Sequence, residues 1–208
     1  MKSSKPLEVK TDNQKGNGEQ TRERIVREAL QLFCQKGYEG ASVREIVQAA
    51  GVTKPVLYYY FKNKDDLFSH IIHSSLDPFY ENILEVCNHA DKNYIRALET
   101  IVEHYLEAAR LHPNHVRFLH AMAFSGLYNH VFDFISYWNK HIEIYIELFQ
   151  KGREQGIFRS DLSPYIMARG FMGLCQMAMR SIVYCPDQNI QPPTSAEIVD
   201  IFLKGIMK

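Results

Sequence analysis

The chain has 208 residues, 46% of them apolar, and 24 Lys and Arg against 24 Asp and Glu. That is enough material to close one small and one larger core. No run of about 18 apolar residues occurs, which argues against a membrane-spanning helix. The zero net charge hides an asymmetry, since residues 1–64 carry 12 basic against 7 acidic side chains and residues 65–208 carry 12 against 17. A basic end on an acidic body suits a protein that presents one end to phosphates. Cys34, Cys87, Cys175 and Cys185 lie far apart without C-x-x-C spacing, so they read as small apolar packing residues of a reducing, cytoplasmic compartment.

Residues 1–18 are polar and Lys-bearing, with no apolar core of a secretion signal, and read as a disordered arm. A first helix is expected over Glu19–Lys36, burying Ile25, Ala29, Leu32 and Phe33, with Gly37 closing it. Ser42 and Glu45 then form an S-x-x-E capping box ahead of Val43, Ile46, Val47 and Ala50, which share one helical face. Gly51 stops that second helix, because glycine takes a left-handed backbone at no steric cost. Thr53 stands where it can cap a third helix, and Pro55 occupies its first turn, where a missing N–H does no harm. Leu57 and Phe61, four apart, face inward; Pro55, Val56 and Tyr59 project from the other side. Two short helices joined by a tight glycine turn have helix-turn-helix geometry with a small, partly aromatic exposed face.

Asn63 is placed to cap a fourth helix running towards Cys87, with Asp65 and Asp66 in its first turn and Pro78 expected to kink or interrupt it. Further helices are expected over Asn93–Leu111, Asn114–Phe124, Val131–Gln155, Pro164–Cys185 and Ser195–Met207. Their punctuation is Pro113, Gly126 with Asn129, Gly156, the pair Ser163-Pro164, and a second capping box at Thr194-Ser-Ala-Glu197. No strand period and no internal repeat is present. The expected fold is all-α with nine helices: an arm over 1–18, a helix-turn-helix domain over 19–64, and a larger helical domain over 65–208.

The segment Glu19–Phe68 resembles the N-terminal domain of the tetracycline-repressor (TetR) family of bacterial transcription regulators. The match is carried by Thr21–Phe33, Gly37-Tyr38, Ser42–Phe61 and Lys62-Asn-Lys-Asp-Asp-Leu67, most specifically by Leu57-Tyr-Tyr-Tyr-Phe-Lys-Asn-Lys64. A fainter similarity lies at Lys151-Gly-Arg-Glu-Gln-Gly156-Ile-Phe. The resemblance implies phosphate contacts from Ser42, Thr53, Tyr58, Tyr59 and Lys64, with Lys54 and Val56 nearest the bases; Pro55, on the same exposed face, is counted with the DNA-binding residues. The residue chemistry agrees: hydroxyls hold phosphates, Lys54 can donate to guanine acceptors, and Val56 offers apolar contact to a thymine methyl. Tyr60 is read as packing instead.

The resemblance also implies a homodimer on palindromic operator DNA, formed through the last two helices. Gly170 and Gly173 suggest the contact, since helical glycine costs about 1 kcal/mol and needs a packing reason. A small-molecule effector in the C-terminal domain is expected to move the fourth helix. Candidate lining groups are His104, Phe118, Met122, Tyr128, Trp138, Tyr145 and Gln176, chosen as large or polar-tipped residues on helices that must also fill a core. Among the histidines, His104 and His120 stand out on otherwise apolar helices. With no acidic cluster among these residues, a largely hydrophobic ligand is expected. His70/His73 and His112/His115 are three apart, but no Cys or carboxylate completes a ligand set, so no metal and no cofactor is expected. No phosphate loop, G-x-S-x-G or paired-carboxylate context suggests an enzyme. The alternatives are a regulator governed by a metal or a protein partner, or a helical binding protein or enzyme whose helix-turn-helix is only structural.

Overall fold

A computed structural model describes residues 13–90, 93–125, 128, 130–184 and 193–206. Among these, nine α-helices follow one another and no strand occurs: α1 Asn13–Gly40, α2 Val43–Ala49, α3 Lys54–Tyr60, α4 Lys64–Asn88, α5 Tyr94–Leu111, α6 Pro113–Ser125, α7 Phe134–Glu154, α8 Pro164–Tyr184 and α9 Ser195–Ile206. The first helix therefore starts at Asn13, six residues before its expected beginning and inside the segment read as an arm. Met1–Asp12 of that arm lie outside the described residues, as do Cys185 and Met207. The backbone of α1 breaks at Gly37, with φ 74° and ψ 170°, values open to glycine and strained for other residues.

Two compact units result, one up to Ile71 and one from Ile72 onward. In the first, α1, α2 and α3 pack on one another and on the opening turns of α4. Ile25, Ala29, Phe33, Ile46, Leu57, Leu67 and Phe68 are completely buried there. Phe33, Tyr38 and Phe68 meet as tilted and edge-on rings with centroids 4.9–5.9 Å apart, a geometry that adds to plain burial. In the second unit α8 packs against α5, α6, α7 and α9. Tyr145, Phe149, Phe158 and Phe171 form the fully buried centre of that unit.

The helix starts follow their capping residues. The Glu45 amide donates to Ser42 Oγ at 3.3 Å while the Ser42 amide donates to the Glu45 carboxylate at 2.9 Å, a complete capping box. Thr194 and Glu197 repeat it at α9, at 3.2 and 2.8 Å. Asn63 Oδ1 accepts from the Asp66 amide at 2.8 Å and starts α4. One boundary is corrected. The helix expected from Val131 begins at Phe134, because Asp133 accepts from the Ser136 amide at 3.0 Å and is its N-cap. Of the kink or break expected at Pro78, a break does not occur, since α4 runs on through it to Asn88 with one backbone N–H missing.

Candidate nucleic-acid interface and ligand cavity

In α3 the side chains divide as their spacing dictates. Leu57 and Phe61 are buried at 0% and 2% exposure, and they lock the helix onto the first unit. The opposite face carries Lys54 and Pro55, both exposed, with Val56 half-buried beside them. Tyr58 is 48% exposed and Tyr59 82%, so both rings are open to a partner on this face. Tyr60 is half-buried, edge-on to Tyr59 at 4.9 Å. Its hydroxyl comes within 3.4 Å of where a side chain at Gly18 would begin.

The hydroxyls differ in availability. Ser42 Oγ donates to the Glu45 carboxylate at 2.7 Å and accepts from the Glu45 amide, so the cap already employs it. Thr53 stands at the N-cap of α3 in extended backbone but makes no side-chain cap hydrogen bond; the capping role expected of that side chain is not taken up. Lys36 and Ser42 hydrogen-bond to the Glu45 carboxyl and hold its pKa down at about 2. The Lys36–Glu45 pair, at 2.6 Å, ties α1 to α2. Lys64 is half-buried with Nζ 4.1 Å from the centre of the Tyr38 ring, and the Tyr38 hydroxyl donates to Asp65. Tyr38 thus braces Lys64, a role the sequence reading did not give it.

The second unit holds a cavity of about 140 Å³ lined by α4, α5, α6, α7 and α8. Trp138 and Gln176 line it, as the sequence reading placed them. His104, Phe118, Met122, Tyr128 and Tyr145 are not among its lining residues. The reason is helix phase. On α6 the cavity face is His115, Val116, Leu119, His120 and Ala123, so Phe118 and Met122 turn away and are buried elsewhere. On α5 it is Tyr105, Ala108 and then His112 beyond its end, one position out of step with His104. Tyr145 lies two turns beyond Trp138, fully buried, where its hydroxyl hydrogen-bonds that of Tyr105 at 3.0 Å.

No Asp or Glu lines the cavity; its polar groups are histidines, tyrosines, the Trp138 indole, Ser75 and Gln176. Burial, with His112 nearby, lowers the His115 pKa to about 4, and burial with the Arg180 charge lowers that of His120. Both rings are therefore neutral near pH 7. His115 Nε2 is buried without a hydrogen-bond partner, as is His104 Nδ1 outside the cavity. No group of three or more metal-ligating side chains assembles among the described residues.

On α8, Gly170 and Gly173 are exposed. A Cβ at Gly173 would meet nothing within 4 Å, and one at Gly170 only the Phe202 ring at 3.7 Å. Neither glycine is required by packing within the chain. Ile166 and Met177 share their helical stripe at 55% and 65% exposure, and Ile201 on α9 is equally open.

A helix-turn-helix head and an all-helical, cavity-bearing second unit define the class of protein. Residues 25–71 match the family described as bacterial regulatory proteins, tetR family. It is 38% identical over 94 residues to the HTH-type transcriptional regulator AcrR of Shigella flexneri, covering 45% of this chain and 44% of the relative. The match thus spans about half the length of such relatives. It is 26% identical over 186 residues to the HTH-type transcriptional repressor KstR2 of Rhodococcus jostii (strain RHA1), covering 86% of this chain and 87% of that one. The crystal structure of AibR in complex with isovaleryl coenzyme A and operator DNA shares the fold, with TM-score 0.66 at 23% identity over 88% of this chain and 97% of that one. No helix among the described residues is long and apolar enough to cross a membrane.

Proposed function

We propose that the protein is a DNA-binding transcriptional repressor. It acts as a homodimer on a palindromic operator and is released by a small, largely hydrophobic effector. The observation that carries this reading is the face of α3, where Lys54 and Tyr59 stand exposed on a helix anchored by Leu57 and Phe61. Thr53, Tyr58 and Lys64 surround that face as phosphate contacts, and Pro55 and Val56 meet the base edges. The open stripe of Ile166, Gly170, Gly173 and Met177 on α8, with Ile201 on α9, is the face for a second copy. The cavity lined by Trp138 and Gln176 receives the effector, and α4, which supplies Leu76 and Phe79 to its wall, is the element that responds. A ligand shifts such an equilibrium only through unequal affinity for the two states.

The relatives support the reading: KstR2 is named a repressor, and AibR is seen with an acyl coenzyme A and operator DNA. The test is a gel shift with DNA from upstream of the protein's own gene. Binding that is lost in Lys54→Ala and Tyr59→Ala supports the proposal. Wild-type protein that retards no DNA overturns it.

A further inference from the structure

The cavity of about 140 Å³ has a neighbour. A second cavity of about 200 Å³ lies between α7 and α8, lined by Trp138, Ile142, Arg169, Met172, Gly173 and Gln176. Trp138 and Gln176 belong to both. They form a common wall, and both have flexible or rotatable side chains. The two chambers differ in chemistry. The inner one is walled mostly by aliphatic and aromatic groups such as Leu76, Phe79, Leu119 and Phe134, and it is about the size of an apolar cavity that accepts benzene. The outer one holds an exposed guanidinium, Arg169, for which no ion pair is found among the described residues. Its guanidinium carbon lies 5.8 Å from the centre of the Tyr165 ring.

No carboxylate lines either chamber. A cation placed here would meet Arg169 without compensation, whereas an anion would find a fork of donors suited to bidentate binding. In the inner chamber the partnerless Nε2 of His115 carries a desolvation cost that an occupant with an oxygen atom at that depth removes. Gly173 lines the outer chamber, and nothing within 4 Å would meet a Cβ placed there.

We infer that the two chambers form one elongated site for an amphipathic carboxylate, with its ring or chain in the inner chamber and its anionic end on Arg169. This rests on the effector reading above and names the ligand's chemical class. Trp138 and Gln176 are then the residues that set how long a ligand is accepted, because it must pass between them.

The experiment is calorimetric titration of the full chain, without DNA, with ω-aryl alkanoates of increasing chain length and with their carboxamides. At least one acid should bind about ten-fold tighter than its amide. Arg169→Met should abolish that preference while leaving amide binding unchanged. Arg169→Lys, which keeps the charge, should retain most of it. The inference is overturned if no acid binds, if amides bind as well as acids, or if Arg169→Met keeps the preference. Operator release is scored separately. An acid that binds through Arg169 but leaves DNA bound sustains the site and defeats the effector role.

Discussion

The ammonium of Lys64 sits 4.1 Å above the Tyr38 ring, whose hydroxyl donates to Asp65 at the start of the same helix. A cation over an aromatic face gains about 0.5–1 kcal/mol at a partly exposed site, so the lysine is held in one direction rather than left to sweep solvent. The ring is 4% exposed and wedged between Phe33 and Phe68, so bracing the lysine and filling the core are one function. Lys64→Ala should weaken binding to every DNA sequence alike and flatten the log–log salt slope by about 0.9 per phosphate lost. Tyr38→Phe keeps the ring and should leave affinity near wild type. Tyr38→Ala should cost about 3–5 kcal/mol of stability, as other buried aromatic truncations do. Fluorescence anisotropy at several salt concentrations and urea melts separate the three.

Lys54 and Tyr59 should fail differently. Lys54→Ala removes the donor proposed to face base edges and should relax preference at one operator position, by about 1–3 kcal/mol. Tyr59→Ala should lower affinity without changing preference, because the exposed ring and hydroxyl serve the backbone. Competition assays against single-base operator variants read both effects. Equal loss of preference in the two variants would contradict this division.

Glycines give an internal contrast. A Cβ at Gly152 would run into the Phe158 ring and lie 3.2 Å from Tyr94, and Phe158 is completely buried. The chain returns tightly after α7: the Ile157 amide donates to the Gly152 carbonyl at 2.9 Å and Gly156 takes φ 74°. Gly152→Ala should therefore destabilise the fold by about 1–3 kcal/mol through overpacking. Gly173→Ala meets nothing and should leave the monomer unharmed or gain up to about 1 kcal/mol from helix propensity. Bulky replacements at Gly170 or Gly173 should instead lower dimer stability and DNA affinity together. Chemical denaturation and sedimentation at micromolar concentration distinguish the cases.

What could be read in advance was local. Leu57 and Phe61 recur at helical spacing, and Ser42, Asn63 and Thr194 announce helix starts because a side-chain oxygen must satisfy the first free amides. Asp133 was overlooked because Val131 and Phe132 continue the apolar pattern and blur the start. The cavity was legible only in part. Trp138 and Gln176 line it, but whether a neighbouring aromatic lines or fills depends on the phase of five helices relative to one another. One residue's offset separates His104 from Tyr105, and no periodicity within a single helix records which of the two faces a void.

His115 supplies a pH test. Its folded-state pKa is lowered to about 4 from an ordinary 6.5, chiefly by burial. The unfolded chain therefore takes up a proton in a range where the folded one does not. The sign is that acidification through the interval from 6.5 down to about 4 favours unfolding, and below it the effect levels off. With about 1.4 kcal/mol per unit, this single ring accounts for a loss of order 3 kcal/mol at most. His115→Gln keeps a neutral polar group and should lose less stability over the same interval. The readout is the difference between the two denaturation series, because Glu45 and Glu197, whose pKa values are lowered, also lose stabilisation as pH falls.

Trp138 is the one tryptophan of the chain, and it stands in the wall between the two chambers. Its side chain hydrogen-bonds that of Tyr80, and its ring lies 6.5 Å from that of Phe134. An occupant of either chamber must therefore change the polarity or the rotamer of the indole. Intrinsic fluorescence should shift on titration with a true effector, and the midpoint should coincide with that of operator release in a parallel gel shift. Trp138→Phe should keep DNA binding, lose the optical signal, and accept longer ligands because the wall is smaller. Coincident midpoints tie cavity occupancy to DNA release, since one conformational equilibrium then governs both. A fluorescence change that saturates while the operator complex stays intact would break that link and leave the cavity a binding site without regulatory consequence.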